Sequence, residues 1–218
     1  MIRRPGQTLV EVLLSLAIIL IGLLSLTSAL INTQLTASTA VEESVAIQLG
    51  REGVEAARFI RDRNWLERED GSGTAFNVGL ESDGTIEADD YTAIYTWNPP
   101  QSNPTSAISF SFLPDTSDTS AIVYQSPIGL YRQTSSTIIP GGWTATIYSR
   151  FITLYPICSN DAGLTETVIT SDAQDCVKTH SSLEIGVQVE VTVTWSSRGT
   201  SHTRVITERL YDWRYAQS

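Results

Sequence analysis

Gln7-Thr8-Leu9-Val10-Glu11-Val12-Leu13-Leu14-Ser15-Leu16-Ala17-Ile18-Ile19-Leu20-Ile21 is the stretch on which the reading of this chain turns. It opens an apolar run with no charged residue from Val12 to Val41. The part from Val12 to Ile31 would be about 30 Å long as a helix, enough to cross a bilayer core. Ahead of it stands Met1-Ile2-Arg3-Arg4-Pro5-Gly6, a short basic leader of the kind that begins an export signal. The positive-inside tendency puts Arg3 and Arg4 in the cytoplasm and the bulk of the chain across the membrane.

Three readings fit such a start. A cleaved secretory signal would be cut after the apolar run, near Ala29, although its core is normally shorter than this one. A plain signal anchor fits the length but gives no reason for Glu11. An ionisable residue near the start of a membrane span is costly and marks function. The third reading accounts for both the length and the glutamate.

Gly6 followed by Gln7-Thr8-Leu9-Val10-Glu11-Val12-Leu13 resembles the class III signal of type IV prepilins and type II secretion pseudopilins. The resemblance implies that a prepilin peptidase cuts between Gly6 and Gln7, leaving Gln7 as an N-methylated mature N-terminus. It places Glu11 at the family's acidic position, the fifth residue of the mature chain. A carboxylate in hydrocarbon needs a cation at its own depth. In the family the N-terminal amine of a neighbouring subunit supplies it and sets axial register. Implied partners are the prepilin peptidase, other pilin subunits, an inner-membrane assembly platform and membrane lipid. Two departures stand out: Gln7 replaces the usual phenylalanine, and the proline that bends many pilin helices is absent.

Beyond Ile31 the sequence turns polar without breaking. Leu35, Val41, Val45, Leu49, Ala56 and Ile60 recur at intervals that define one helix face. Glu42, Glu43, Arg51, Glu52, Glu55, Arg58 and Arg61 fall mostly on the other, which reads as a solvated face. No proline lies between Pro5 and Pro99, so one helix from about Thr8 to Trp65 is expected. Gly50 and Gly53 weaken it locally or admit close packing against a sheet. The segment Leu49–Arg61 resembles PilV-type minor pilins and I-type pseudopilins.

The rest is β-rich. Gly71-Ser72-Gly73 ends the helical region. Tyr91–Trp97 and Ile108–Leu113 read as short strands, as does Trp143–Leu154. Leu183, Ile185, Val187, Val189, Val191, Val193 and Trp195 alternate strictly with mostly polar residues, so all seven apolar side chains share one sheet face. A turn at Ser196–Thr200 leads into His202–Trp213 and makes a terminal antiparallel hairpin. This hairpin too resembles PilV-type minor pilins. The expected fold is α+β and pilin-like: a long N-terminal helix, apolar then amphipathic, packed on an antiparallel sheet. The expected organisation is a cleaved leader over 1–6, a transmembrane half-helix over 7–31, an amphipathic half over 32–66, and an extracytoplasmic β domain over 67–218.

Charge narrows the function. The 218 residues carry a formal net charge of -10, and Lys178 is the one lysine, so the footprint of a nucleic-acid binder is missing. Cys158 and Cys176 flank a loop-like stretch and read as a disulfide in an oxidising compartment. No catalytic, cofactor-binding or metal-ligating set emerges. His180 and His202 are the two imidazoles, and Asp89-Asp90, Asp115 and Asp118 lack the ligand spacing of a calcium loop. Trp143, Trp195 and Trp213 read as core rather than as a glycan platform. A membrane-anchored binding module that does not polymerise is the alternative to a filament subunit.

Overall fold

A computed structural model describes residues 5–69, 71, 75–80, 91–96, 109–114, 121–133, 141–159, 165–169, 176 and 183–212. The chain forms two compact units, Met1–Val45 and Ala46–Ser218.

The first unit is helix. Helix α1, Pro5–Glu69, runs through it and on into the second unit. It begins three residues earlier than periodicity alone suggests, because proline at a first helical position loses no hydrogen bond and already has helical φ. It also ends four residues later than Trp65. Arg68 in the last turn complements the helix dipole, and the Gly71 amide, at φ +85°, donates to the Arg68 carbonyl as the chain leaves. Ser72 and Gly73 lie outside the described residues.

The second unit packs the end of α1 on an antiparallel sheet. Its strands are β3 (Ile122–Gln125), β4 (Tyr131–Arg132), β5 (Thr144–Ser159), β6 (Glu166–Val168), β7 (Leu183–Ser197) and β8 (Thr200–Tyr211). The order is β4-β3-β5-β7-β8, with β6 paired to the far end of β5. A separate hairpin joins β1 (Tyr91–Thr96) to β2 (Ser109–Pro114). Trp97 and Ile108, read as part of these strands, lie outside the described residues.

The seven-residue alternation forms β7, and six of its apolar side chains are buried; Leu183, at the strand's end, is 46% exposed. Their cover is the α1 face made by Ala46, Leu49, Ala56, Ala57 and Ile60, all buried. Val41, assigned to that face by spacing, is 64% exposed and belongs to the first unit. Gly50 and Gly53 do admit the close approach. A Cβ on Gly53 would lie 2.9 Å from Ile152 Cδ1, and one on Gly50 would lie 2.7 Å from Ile206 Cδ1.

β5 runs five residues past the expected Leu154, straight through Pro156. The Pro156 carbonyl accepts from the Ile169 amide at 3.0 Å, so the polar edge of this residue faces the β6 side. Its missing N–H therefore costs the β5–β7 ladder nothing. The β7–β8 turn centres on Arg198 (φ 52°) and Gly199 (φ 78°), the two positive φ values of a type I′ hairpin. β8 follows to Tyr211, and Trp213 lies outside the described residues.

Cys158 and Cys176 are bonded, with Cα atoms 5.5 Å apart, and both are buried with Ile169.

Candidate functional site

Within the first unit the apolar side chains of α1 have no protein cover. Every large hydrophobic residue from Leu9 to Ile31 is more than half exposed. Such a surface is stable only in an apolar solvent. The backbone meets the same requirement, since a helix satisfies its own N–H and C=O groups. The hydroxyls in the run do so too: Ser15 donates to the Glu11 carbonyl at 2.8 Å, Ser25 to Ile21 at 2.9 Å, and Thr27 to Leu23 at 2.8 Å. The helix is long and apolar enough to cross a membrane. It is a single-pass anchor with the C-terminal domain outside.

Gly6 and Gln7 lie in the first turn of this helix, where backbone amides have no intrahelical acceptor and unwinding costs little. Glu11 follows Gln7 by four residues, which puts both on one helix face about 6 Å apart along the axis. Its neighbours Leu9, Val10, Val12 and Leu13 are all exposed apolar side chains. Among the described residues no hydrogen bond or ion pair reaches its carboxylate. The arrangement can therefore accept a cation at this depth, and a free amine at position 7 would be one.

In the second unit the principal polar site is one that sequence reading did not pick out. Arg150 of β5 is 1% exposed, on the inward face with Tyr148, Ile152 and Leu154. Its Nε donates to Gln133 Oε1 at 2.7 Å, and one terminal nitrogen donates to the Leu49 carbonyl at 2.9 Å and to Glu52 Oε2 at 3.0 Å. Gln133, also buried, donates to the carbonyls of Ala121 and Arg150 at 3.1 and 2.8 Å. The knot ties α1 to β5 and to the loop after β4. The helix face read as solvated is thus partly a docking face. Glu52 holds Arg150, Arg58 pairs with Glu208 of β8, and Arg68 pairs with Asp212 at 3.1 Å. Asn64 is a further missed residue: its side-chain amide donates to the Phe76 and Val78 carbonyls at 2.9 and 2.8 Å, pinning the loop after α1.

Of the three tryptophans read as core, Trp143 and Trp195 are described and Trp213 is not. Trp195 is buried and stacks on His202 across the hairpin with ring centroids 5.2 Å apart, while Trp143 is half-buried elsewhere. Among the described residues no group of three or more His, Cys, Asp or Glu side chains could hold a metal ion. Asp89, Asp90, Asp115, Asp118 and His180 lie outside the described residues.

No curated protein and no solved structure matches the chain. Residues 1–27 match the family described as the prokaryotic N-terminal methylation motif, a segment that takes in Gly6, Gln7, Glu11 and the start of the apolar helix. This motif, a one-span apolar helix and an α+β arrangement with an antiparallel sheet together support a type IV pilin-like family for the chain.

Proposed function

We propose that the chain is a minor pilin or pseudopilin. In this reading a prepilin peptidase cuts between Gly6 and Gln7, and the mature subunit primes or joins a pilus or secretion-type filament. Its partners are other pilin subunits, an inner-membrane assembly platform and membrane lipid.

The observation that carries the reading is Glu11, a lone carboxylate among exposed apolar side chains one helical turn from Gln7. Anchoring alone gains nothing from a charge there and loses free energy to it. Assembly gains from it, because the neighbour's Gln7 amine fixes the depth at which two helices pack. The assignment to minor rather than major subunits rests on the likeness of Leu49–Arg61 and the terminal hairpin to PilV-type proteins.

Two measurements test it. Intact-mass and peptide mass spectrometry of the membrane-extracted protein should find a chain beginning at an N-methylated Gln7. Glu11→Leu should leave membrane insertion intact and abolish recovery of the subunit in sheared filaments. Normal incorporation of that variant would remove the assembly role of Glu11, and a chain beginning at Met1 would favour a simple anchor.

A further inference from the structure

Between α1 and the β3–β4 turn lies an open groove of about 930 Å³. One wall is the α1 stripe that carries Ala56 and Phe59; the other is Pro127, Ile128 and Leu130, with Trp143 beside them. The turn wall presents its apolar side chains outward: Ile128 is 82% exposed, Leu130 about half, and Phe59 opposite is exposed as well. A soluble surface rarely gathers large apolar side chains in this way without a use for them.

The turn is also braced. The Ser126 amide donates to the Leu130 carbonyl at 2.8 Å, the Gly129 amide to the Ser126 carbonyl at 3.0 Å, and the Leu130 amide to Ser126 Oγ at 2.9 Å. Gly129 takes φ +85°, which the tight reversal requires. Ile128 and Leu130 are therefore held in place in the free protein, and a partner would not have to order them.

Charge selects the partner. The groove also carries Glu52, Glu55, Asp62, Arg58 and Arg132. The three carboxylates are taken, Glu52 by Arg150, Glu55 by Arg58 and Asp62 by Arg61. Arg58 is held a second time by Glu208. Arg132 differs: its Nε is buried with no hydrogen-bond partner, and no carboxylate pairs with it among the described residues. The guanidinium charge of Arg132 is therefore left for an anionic group that enters the groove.

We propose that this groove binds an extended acidic–apolar peptide segment. One carboxylate of the segment meets Arg132, and its flanking apolar side chains cover Phe59, Ile128 and Leu130. A peptide fits better than a compact small molecule, because the apolar side chains stand along both walls of an open cleft rather than around a closed cavity.

The test is fluorescence anisotropy with the full mature chain in detergent micelles. The probes are three labelled peptides that alternate leucine with glutamate, glutamine or lysine. The glutamate peptide should bind at least about 10-fold more tightly than the glutamine peptide, as a charge-assisted contact predicts, and the lysine peptide should bind weakest. Arg132→Gln should abolish the preference for glutamate over glutamine. Ile128→Asp, at a fully surface position that does not support the fold, should abolish binding of all three. Preference for the lysine peptide, equal binding of all three, binding untouched by either variant, or no binding at all would each overturn the proposal.

Discussion

Adding a methyl group at Gly53 tests whether the helix is seated on the sheet as described. On an isolated helix, Gly→Ala stabilises by about 0.5–1 kcal/mol. At Gly53 the new Cβ would sit 2.9 Å from Ile152 Cδ1 and 3.1 Å from both γ-carbons of Val191. Ile152 and Val191 are directly opposite in the β5–β7 register, and both are fully buried. A valine side chain is stiff at χ1, so neither of its methyls can turn away without driving the other toward the helix. Overpacking of this kind costs about 1–3 kcal/mol. The packing loss outweighs the propensity gain, and Gly53→Ala should destabilise by about 0.5–2 kcal/mol. Gly50 is the control. There the methyl would meet Ile206 alone, a half-buried side chain on β8 that can swing, so Gly50→Ala should stay within about 0.5 kcal/mol of the parent. Urea midpoints of the mature chain in micelles, read by tryptophan fluorescence with unchanged slope, give both values. A Gly53→Ala variant that is as stable as the parent, or more so, would refute the close packing of α1 on β5 and β7.

Other substitutions probe the remaining ties. Arg150→Ala should cost about 2–5 kcal/mol, since it empties a buried volume and removes the donor to Gln133 Oε1, and Arg150→Met should cost clearly less by refilling the volume; the same urea series measures both. Replacing Cys158 and Cys176 by serine should lower stability by about 3 kcal/mol, with dithiothreitol moving the parent equally and leaving the double variant unmoved. Burial first, and then the hydrogen bond to Glu166, raise the Tyr211 pKa above its ordinary value of 10.0. The folded state thus holds this proton more tightly than the unfolded chain, and stability should fall as pH rises above about 10. Tyr211→Phe should flatten that alkaline loss in thermal melts run at successive pH values.

The parts of this protein that were legible in its sequence are those governed by a single period. The apolar face of β7 alternates without exception, and the residues of α1 that cover it recur at helical spacing, so the α+β pairing followed from those two patterns. Strand β5 was half legible because Pro156 reads as an ending. Only the pairing shows that its missing amide points away from β7. Arg150 left a signal that could have been used: it falls in the inward phase of Tyr148, Ile152 and Leu154, where a charge demands a buried partner. That partner, Gln133, left none, because it lies outside regular structure and is recruited by a contact across 17 residues. The groove was invisible for the same reason. Its walls come from α1 and a five-residue reversal, and nothing in the local sequence says that they face each other.

The helix also shows how gradual the change from apolar to polar can be along one element. Read by residue type, the apolar run stops at Asn32, and the threonines that follow count as polar. In the structure Thr33, Thr36 and Thr39 return their hydroxyl protons to the carbonyls of Ala29, Asn32 and Leu35, the same device used by Ser15, Ser25 and Thr27 within the apolar run. A hydroxyl spent in this way presents a methyl or methylene edge to its surroundings, and its transfer to a low-dielectric medium no longer carries the cost of an unpaired donor. The larger polar groups along this stretch are the side-chain amides of Asn32 and Gln34, and the first carboxylates after Glu11 are those of Glu42 and Glu43. Between Leu35 and Ala40 the helix is therefore compatible with water, lipid or the flank of another helix, and its small side chains allow close approach. For a subunit proposed to leave the bilayer and enter a filament, such a stretch allows the same helix to change solvent without changing conformation.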